Sequence, residues 1–176
     1  MKIRGAWVIV FSVLLHGARV QAEDEIRLAG DVLQFVLPAA GAVLCAGHGD
    51  GRGVWQLAKT VTFTFGTTGI LKCLVPEKRP NGGEHSFPSG HTSLSFCSAE
   101  FIRKRYGWGW GLPAYAAAVF VGYSRVQSKA HYVHDVAAGA LIGFVFATVF
   151  TTPRQGWLVR PETDGTVWGI TVCRVW

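Results

Sequence analysis

The chain has 176 residues, enough for one domain around one core and too few for two ordinary domains. Hydrophobic residues make up 49% of the sequence and charged residues 16%, well below the roughly 25% of soluble domains, which favours a membrane protein. The net charge of +6 comes from short groups of Lys and Arg between apolar segments. Because a nucleic-acid-binding surface needs a basic stripe or an aromatic platform, we expect no nucleic-acid partner.

The amino terminus has the features of an export signal. Lys2 and Arg4 precede an apolar stretch at residues 6–15, and Ala22 is followed by three acidic residues. This pattern predicts a secretory signal peptide cleaved after Ala22, or else an uncleaved first membrane helix, over residues 1–22.

Beyond this segment the sequence predicts one all-α domain at residues 23–176, with a core over approximately residues 30–150. The core contains five apolar segments of about 12 residues or more, a length that favours helices over strands. These segments cover residues 32–47, 54–75, 91–102, 108–123 and 136–150. Several are shorter than the roughly 20 residues that cross a bilayer at right angles. A compact soluble helical domain is therefore the alternative to a membrane-embedded helical bundle.

The tail at residues 151–176 is predicted to differ from the core. Residues 166–176 alternate loosely between polar and apolar side chains after Asp164-Gly165, which indicates a short strand or hairpin arm. Inside the core, Glu100 would be costly in lipid, so we expect it at the bundle interior or at a polar helix end.

The loop charges predict an orientation in the membrane. Arg52 lies between the first and second segments, and Arg103, Lys104 and Arg105 lie between the third and fourth. Since cytoplasmic loops are enriched in Lys and Arg, these two connections should face the cytoplasm and the intervening ones the outside.

The cysteines show no disulfide or metal-binding pattern. They have no paired CxxC spacing, so we interpret them as small buried hydrophobic residues. Neither carboxylate clusters nor His/Cys spacing in the sequence predicts a metal site. The four positions are Cys45, Cys73, Cys97 and Cys173.

Three polar blocks lie where apolar segments end. They are Lys72 with Arg79-Pro80, then Pro88-Ser89-Gly90-His91, then Ser124-Arg125 with His131 and Asp135. Their spacing resembles the K-x6-R-P, P-S-G-H and S-R-x5-H-x3-D signature of the type-2 phosphatidic acid phosphatase family at every fixed position. A chance match of eleven residues has a probability on the order of 10⁻¹⁴. The resemblance implies a membrane-embedded helical bundle and a metal-independent phosphatase without cofactors.

The residue types in these blocks suit a phosphate site. Lys72, Arg79 and Arg125 would place three cations at helix ends, where Arg grips two oxygens and Lys adds a point charge. Ser89 and Gly90 precede a helix, so backbone amides there should point at the anion, and the Ser89 hydroxyl can donate as well. An N-cap role for Ser89 is compatible with this.

The third block supplies a nucleophile with its orienting carboxylate. On a helix, His131 and Asp135 share a face, so the carboxylate can bind one ring nitrogen and leave the other to attack phosphorus. In the family that the chain resembles, the corresponding histidine becomes phosphorylated. His91 is then the general acid and, later, the general base. We interpret His134 and His85 as structural or solvent-facing, with a contact between His85 and the substrate as the less favoured alternative.

The sequence thus predicts a phosphatase for a phosphorylated lipid such as phosphatidic acid, phosphatidylglycerol phosphate, an isoprenyl diphosphate or a lipid A phosphate. We expect it in the bacterial cytoplasmic (inner) membrane, with its site facing the periplasm. A vanadium-dependent haloperoxidase-like oxidoreductase and a non-catalytic phospholipid-binding membrane protein are the alternatives. Haloperoxidases are much longer chains, and binding alone needs no nucleophile with an orienting carboxylate.

Overall fold

The computed structural model of the protein describes residues 3–154, 156–163, 165 and 168–175. Within these residues the chain forms five helices followed by two strands, so the all-α prediction is confirmed. The elements are α1 (Ile3–Gly47), α2 (Gly51–Leu74), α3 (Gly90–Tyr106), α4 (Trp108–Gln127), α5 (Val133–Phe150), β1 (Gly156–Thr163) and β2 (Trp168–Val175).

Helix α1 is longer than the sequence predicts. It has 45 residues and continues without interruption past Ala22, whereas the predicted segment began at residue 32. The assignment of residues 1–22 as a signal peptide or first membrane helix stays a prediction. The other four helices match their predicted segments to within a few residues at each end.

Helix α3 lies at the centre of the bundle and packs against each of the other four helices. Its contact with α5 is close because Gly139 and Gly143 of α5 face its backbone. A Cβ at Gly139 would lie 2.5 Å from the Ser89 carbonyl oxygen, and one at Gly143 would overlap the Ser93 carbonyl. Such small residues let two helix backbones approach each other, as is common in membrane bundles.

The bundle has an apolar exterior and a partly polar interior. Phe35, Phe65 and Val149 each expose more than 60% of their surface, while Thr60 and Glu100 are fully buried. Contiguous exposed apolar surface of this kind is typical of a lipid-facing or partner-facing protein. The helices 23–47 and 133–150 are long and apolar enough to cross a membrane.

Glu100 lies inside the bundle, one of the two places where the sequence analysis expected it. Its carboxylate accepts two hydrogen bonds from the Arg103 guanidinium, both at 2.6 Å, and one from the Tyr115 hydroxyl. Thr148 of α5 donates a further bond at 3.3 Å. Because its oxygens have several donors, burial of this charge is compensated.

The end of the bundle where α2 begins is held by a buried ion pair. Asp50, the N-cap of α2, accepts two hydrogen bonds from Arg105 at the end of α3, at 2.6 and 2.7 Å. These bonds hold the pKa of Asp50 well below its usual range. Arg105 is therefore a structural residue rather than a free loop cation. Arg52 lies at this same end and is exposed.

The tail forms a two-stranded antiparallel hairpin, in register from Gly156 opposite Val175 to Thr163 opposite Trp168. The strand predicted near the carboxyl terminus is confirmed. Its partner β1 was not predicted, because Pro161 interrupts that segment and proline is unfavourable in most strands. Cys45 and Cys97 are buried as expected, whereas Cys73 is exposed. The side chain of Cys173 lies outside the described residues.

Candidate active site

The three sequence blocks meet at the end of the bundle opposite the Asp50–Arg105 pair. Lys72 lies in the last turn of α2 and Arg125 in the last turn of α4. Ser89 is the N-cap of α3, and Asp135 lies in the first turn of α5. Successive helices run in opposite directions, so the C-terminal ends of α2 and α4 lie beside the N-terminal ends of α3 and α5. Residues far apart in the sequence therefore share one end of the bundle.

Two of the three predicted phosphate-binding cations are held by backbone carbonyls of the loop between α2 and α3. Lys72 Nζ donates to the His85 carbonyl at 2.9 Å and to the Ser86 carbonyl at 3.3 Å. Arg79 Nε donates to the Glu84 carbonyl at 3.1 Å. Neutral carbonyls are weaker acceptors than a phosphate dianion, so both side chains can exchange them for an anion.

Arg125 is buried, and its partners come chiefly from α1. Its Nη1 donates to Asp31 Oδ1 at 2.6 Å, and its Nη2 donates to the Arg27 carbonyl at 2.8 Å. Helix α1 can approach so closely because Gly30 is there: a Cβ would overlap the Ser124 hydroxyl and lie 2.6 Å from Arg125 Nη2. Asp31 lies outside all three blocks and was not predicted as a site residue.

His91 shares this carboxylate. Its Nε2 is 3.1 Å from Asp31 Oδ1, and a third of its side chain is exposed. Burial and the nearby Arg125 lower the pKa of His91, while Asp31 opposes that shift. The Asp31 carboxylate therefore bridges His91 and Arg125.

Ser89 and Gly90 lie at the N-terminus of α3, as predicted. The Ser89 hydroxyl is fully buried, lies 2.9 Å from Thr92 Oγ1 and accepts a long hydrogen bond from the Thr92 amide. Its observed role is that of an N-cap. Gly90 is only partly buried, and its Cα faces the Lys72 side chain.

His131 and Asp135 are brought together, but not on one helix. Both were predicted to lie on a helix, whereas α5 begins at Val133, so His131 lies in the loop before it. Helix α5 starts late because the Asp135 carboxylate accepts the Tyr132 amide at 2.9 Å, which caps the first turn. His131 Nδ1 is 3.5 Å from Asp135 Oδ2, and both side chains are almost completely buried.

The electrostatic surroundings of His131 favour its neutral form. Burial lowers its pKa to about 4, and the charges of Lys72 and Arg79 act in the same direction. Asp135 opposes the shift without cancelling it. A neutral imidazole keeps a lone pair for nucleophilic attack at neutral pH.

Ser86 is a second residue that the sequence analysis missed. Its hydroxyl is fully buried and donates to Asp135 Oδ2 at 2.5 Å. The bond joins the loop before α3 to the first turn of α5. Ser86 belongs to none of the signature positions, and its partner is 49 residues away, so no local pattern could reveal the contact.

One group of side chains in the described part of the chain could hold a metal ion. Glu77, His134 and Asp135 bring their ligand atoms within 4.8 Å of one another. His134 Nε2 is 2.9 Å from Glu77 Oε1 and 3.2 Å from Asp135 Oδ1. Imidazole with carboxylates suits zinc in general. The sequence shows no such group because Glu77 is far from the other two along the chain.

His134 and His85 are outside the group of residues facing His131. His134 is mostly exposed and stacks on Tyr132. His85 is exposed and lines a cavity of about 220 Å³ together with Glu77, Lys78 and Glu84. Lys78 therefore lies beside the mouth of the site, where its charge can attract an anion.

Comparison with known proteins agrees with this geometry. The chain matches the PAP2 superfamily over residues 76–157. The Lipid A 4'-phosphatase of Helicobacter pylori is 34% identical over 148 residues, which cover 76% of this chain and 74% of the relative.

Two crystal structures share the fold. LpxE of Aquifex aeolicus superimposes with a TM-score of 0.57 at 20% identity, covering 72% of this chain and 92% of LpxE. A transmembrane PAP2-type phosphatidylglycerolphosphate phosphatase from Bacillus subtilis gives 0.59 at 24% identity, covering 74% and 73%. With the signature blocks gathered at one end of such a bundle, the chain belongs to the PAP2 superfamily and is a membrane-bound lipid phosphate phosphatase.

Proposed function

We propose that the protein cleaves a lipid phosphate ester through a phosphohistidine intermediate on His131. The observation that carries this proposal is the buried pair of His131 and Asp135 beside two cations, Lys72 and Arg79, that depress the pKa of the imidazole. Asp135 Oδ2 lies 3.5 Å from Nδ1 of His131, and Nδ1 has no hydrogen-bond partner among the described residues, so the carboxylate faces this nitrogen and leaves Nε2 for attack.

In the first step, His131 Nε2 attacks phosphorus, an N–P bond forms and the ester P–O bond breaks. The leaving oxygen takes the electron pair of that bond and a proton from His91. Lys72, Arg79 and Arg125 neutralise the charge on the phosphoryl oxygens, as preorganised donors do in phosphoryl transfer. The α3 amides at Gly90 and His91 add the positive end of a helix dipole.

In the second step, water attacks the phosphorus of the phosphohistidine. His91, now neutral, accepts a proton from this water, the N–P bond breaks and its electron pair returns to His131. Inorganic phosphate leaves. Asp135 keeps His131 in one ring orientation throughout, and it stabilises the imidazolium when the ring is protonated.

A lipid A phosphate is the substrate to test first. The support is the 34% identical relative, which is named a Lipid A 4'-phosphatase. The exposed apolar side chains around the bundle also fit a site that meets its substrate at a membrane surface. The haloperoxidase-like alternative is not favoured, because the relatives reported above are phosphatases.

We place the protein in the bacterial inner membrane with the site on the periplasmic side. Helix α1 would be about 68 Å long at 1.5 Å per residue, over twice the roughly 30 Å hydrocarbon core. A helix of this length cannot lie within one bilayer along its normal. This supports the proposal that residues 1–22 are a signal peptide that is cleaved from the bundle. The helix from Glu23 to Gly47 then enters from the periplasmic side.

Release of inorganic phosphate from a panel of lipid A and phospholipid substrates in detergent tests the function. We expect turnover on at least one lipid phosphate and none in the His131→Ala variant. Failure on every lipid while a soluble phosphate ester is cleaved would contradict the lipid assignment.

Labelling of single cysteines tests the orientation. Cysteines are introduced one at a time at Gly83 and Lys104, in a chain whose four native cysteines are replaced, and are treated with an impermeant thiol reagent in intact cells. We expect labelling at position 83 only. Labelling at position 104 only would reverse the orientation, and equal labelling would mean that the bundle does not span.

A further inference from the structure

His91 has a carboxylate partner that lies outside the three signature blocks. Asp31 Oδ1 is 3.1 Å from His91 Nε2 and 2.6 Å from Arg125 Nη1. We propose that Asp31 is a positioning residue, which fixes the ring of His91 for protonation of the leaving oxygen. This inference rests on the proposed function, because it assigns a partner to the proposed general acid.

The position of Asp31 is fixed by the packing of α1 against α4. Gly30, its neighbour, is buried against Ser124 and Arg125, where any larger side chain would overlap them. Four residues earlier, the Arg27 carbonyl accepts a bond from Arg125 Nη2. These contacts hold the turn before Asp31 against α4, so the carboxylate is carried by a packed helix and not by a loop.

Each of the two proposed catalytic histidines has a carboxylate next to one of its ring nitrogens. Asp135 Oδ2 lies 3.5 Å from Nδ1 of His131, and Asp31 Oδ1 lies 3.1 Å from Nε2 of His91. With Nε2 held by Asp31, Nδ1 is the nitrogen left to give a proton to the leaving oxygen. A carboxylate partner also stabilises the charged imidazolium that a general acid needs at the start of the step.

The charges around His91 give Asp31 a measurable effect on the protonation of its ring. The ring faces Asp31 from α1, Arg125 from α4 and Arg79 from the loop after α2. Burial and both arginines favour the neutral ring, and Asp31 favours the protonated one. Removal of the carboxylate should therefore lower the pKa of His91 further and leave less acid available at neutral pH.

A competing role for Asp31 makes the opposite kinetic prediction. Because its carboxylate occupies Nη1 of Arg125, it could instead act as an internal competitor of the phosphate group. Loss of a competitor lowers KM and leaves kcat unchanged, whereas loss of a positioning residue lowers kcat. The two roles can be separated with one pair of variants.

The experiment compares Asp31→Asn, Asp31→Glu and the control Asp24→Asn. Asp24 is exposed and lies seven residues, or about two turns, earlier on the same helix, so this control removes the same charge away from the site. Each variant is assayed on an alkyl (lipid) phosphate at steady state. The pre-steady-state burst on an aryl phosphate reports the first step with a leaving group that needs no acid.

We expect Asp31→Asn to lower kcat on the lipid phosphate by about tenfold or more, and the aryl burst rate by less than about threefold. The alkaline limb of kcat/KM should move to lower pH. Asp31→Glu should recover most of the lipid activity, because it keeps the charge, and Asp24→Asn should behave as wild type.

Three results would overturn the inference. These are equal losses on both substrates, an unshifted alkaline limb, or a lower KM with unchanged kcat in Asp31→Asn. Vanadate binding and thermal unfolding show whether each variant is folded. If Asp31→Asn does not fold, Asp31→Glu decides the question. A purely structural carboxylate predicts equal loss of activity on both substrates in Asp31→Glu as well. Failure of the proposed function is distinct, because wild type would then form no phosphohistidine at all.

Discussion

Ser86 and Asp135 are joined by a short, fully buried hydrogen bond between the loop before α3 and the first turn of α5. The same Asp135 oxygen is the one nearest His131. Ser86 therefore holds the carboxylate that faces His131, the nucleophile proposed above. We expect Ser86→Ala to lower kcat by about tenfold with little change in KM, because the carboxylate loses a donor and its fixed position. Steady-state kinetics on a lipid phosphate measures both quantities.

Ser98→Ala is the matched control for this variant. Ser98 is also fully buried, and its hydroxyl donates to the Leu94 carbonyl within α3. It should lose stability without a specific loss of kcat. A similar fall of kcat in both variants would mean that Ser86 acts through general stability and not through Asp135.

The contact of α5 with α3 predicts a second set of variants. At Gly143 a Cβ would overlap the Ser93 carbonyl and lie 2.7 Å from the Cys97 amide nitrogen. Gly143→Ala should cost about 1–3 kcal/mol, because the two helix backbones must separate. We expect the unfolding temperature in detergent to fall by at least about 3 °C.

Gly66→Ala in α2 is the control, because its added Cβ meets no atom within 4 Å. Alanine has the higher helix propensity, so this variant should be neutral or more stable by up to about 1 kcal/mol. Equal destabilisation of the two variants would contradict the close packing of α5 on α3.

Much of this fold could be predicted from the sequence, because helix lengths, loop charges and the signature spacing are local properties. The five helices were found in this way, with most bounds within a few residues. Contacts between site residues that are far apart in the sequence could not be predicted in this way. Asp31 is 60 residues from His91 and Ser86 is 49 from Asp135, so packing alone brings them together. The prediction that His131 lies on a helix was wrong, because the cap formed by Asp135 makes α5 begin after His131.

The pKa of His131 gives a prediction about pH. Burial lowers it to about 4 from an ordinary value of 6.5. The imidazole should therefore stay neutral, and able to attack, as pH falls through 6, and it should gain a proton only near pH 4. Titration of ¹³C-labelled histidines by NMR measures this pKa, with His131→Asn to assign the signal. A midpoint near 6.5 would contradict the electrostatic account.

The same titration in Asp135→Asn tests the sign of the carboxylate's effect. Asp135 raises the pKa of His131 against burial and the two cations. Its removal should therefore lower the midpoint further. An unchanged midpoint would mean that the negative charge of Asp135 does not act on the ring, and a rise would contradict the sign of its effect.

Divalent ions should inhibit rather than activate the enzyme. In the proposed mechanism, Lys72, Arg79 and Arg125 provide the charge neutralisation that magnesium gives in many phosphoryl-transfer enzymes. Turnover should therefore survive strong chelation, and vanadate should inhibit it. Zinc held by Glu77, His134 and Asp135 would neutralise the carboxylate that faces His131. Phosphate release with added zinc or chelator measures the effect.

Glu77→Gln should keep the basal rate and reduce zinc inhibition, whereas Glu84→Gln, an exposed control in the same loop, should change neither. A chelated enzyme that loses activity and regains it with a divalent ion would contradict the metal-independent mechanism.

The central claim is that His131 carries the phosphoryl group. The most direct test is to look for acid-labile phosphate on the protein. The His91→Ala variant reacts briefly with an aryl [³²P]phosphate, and the reaction is stopped with a denaturing quench at alkaline pH. Because the aryl oxygen leaves without an acid and the missing His91 cannot activate water, the intermediate should accumulate. We predict one base-stable label per chain, located on His131 and absent from the double variant with His131→Ala. Label on a serine, or no label while the aryl alcohol is released in a burst, would contradict the account.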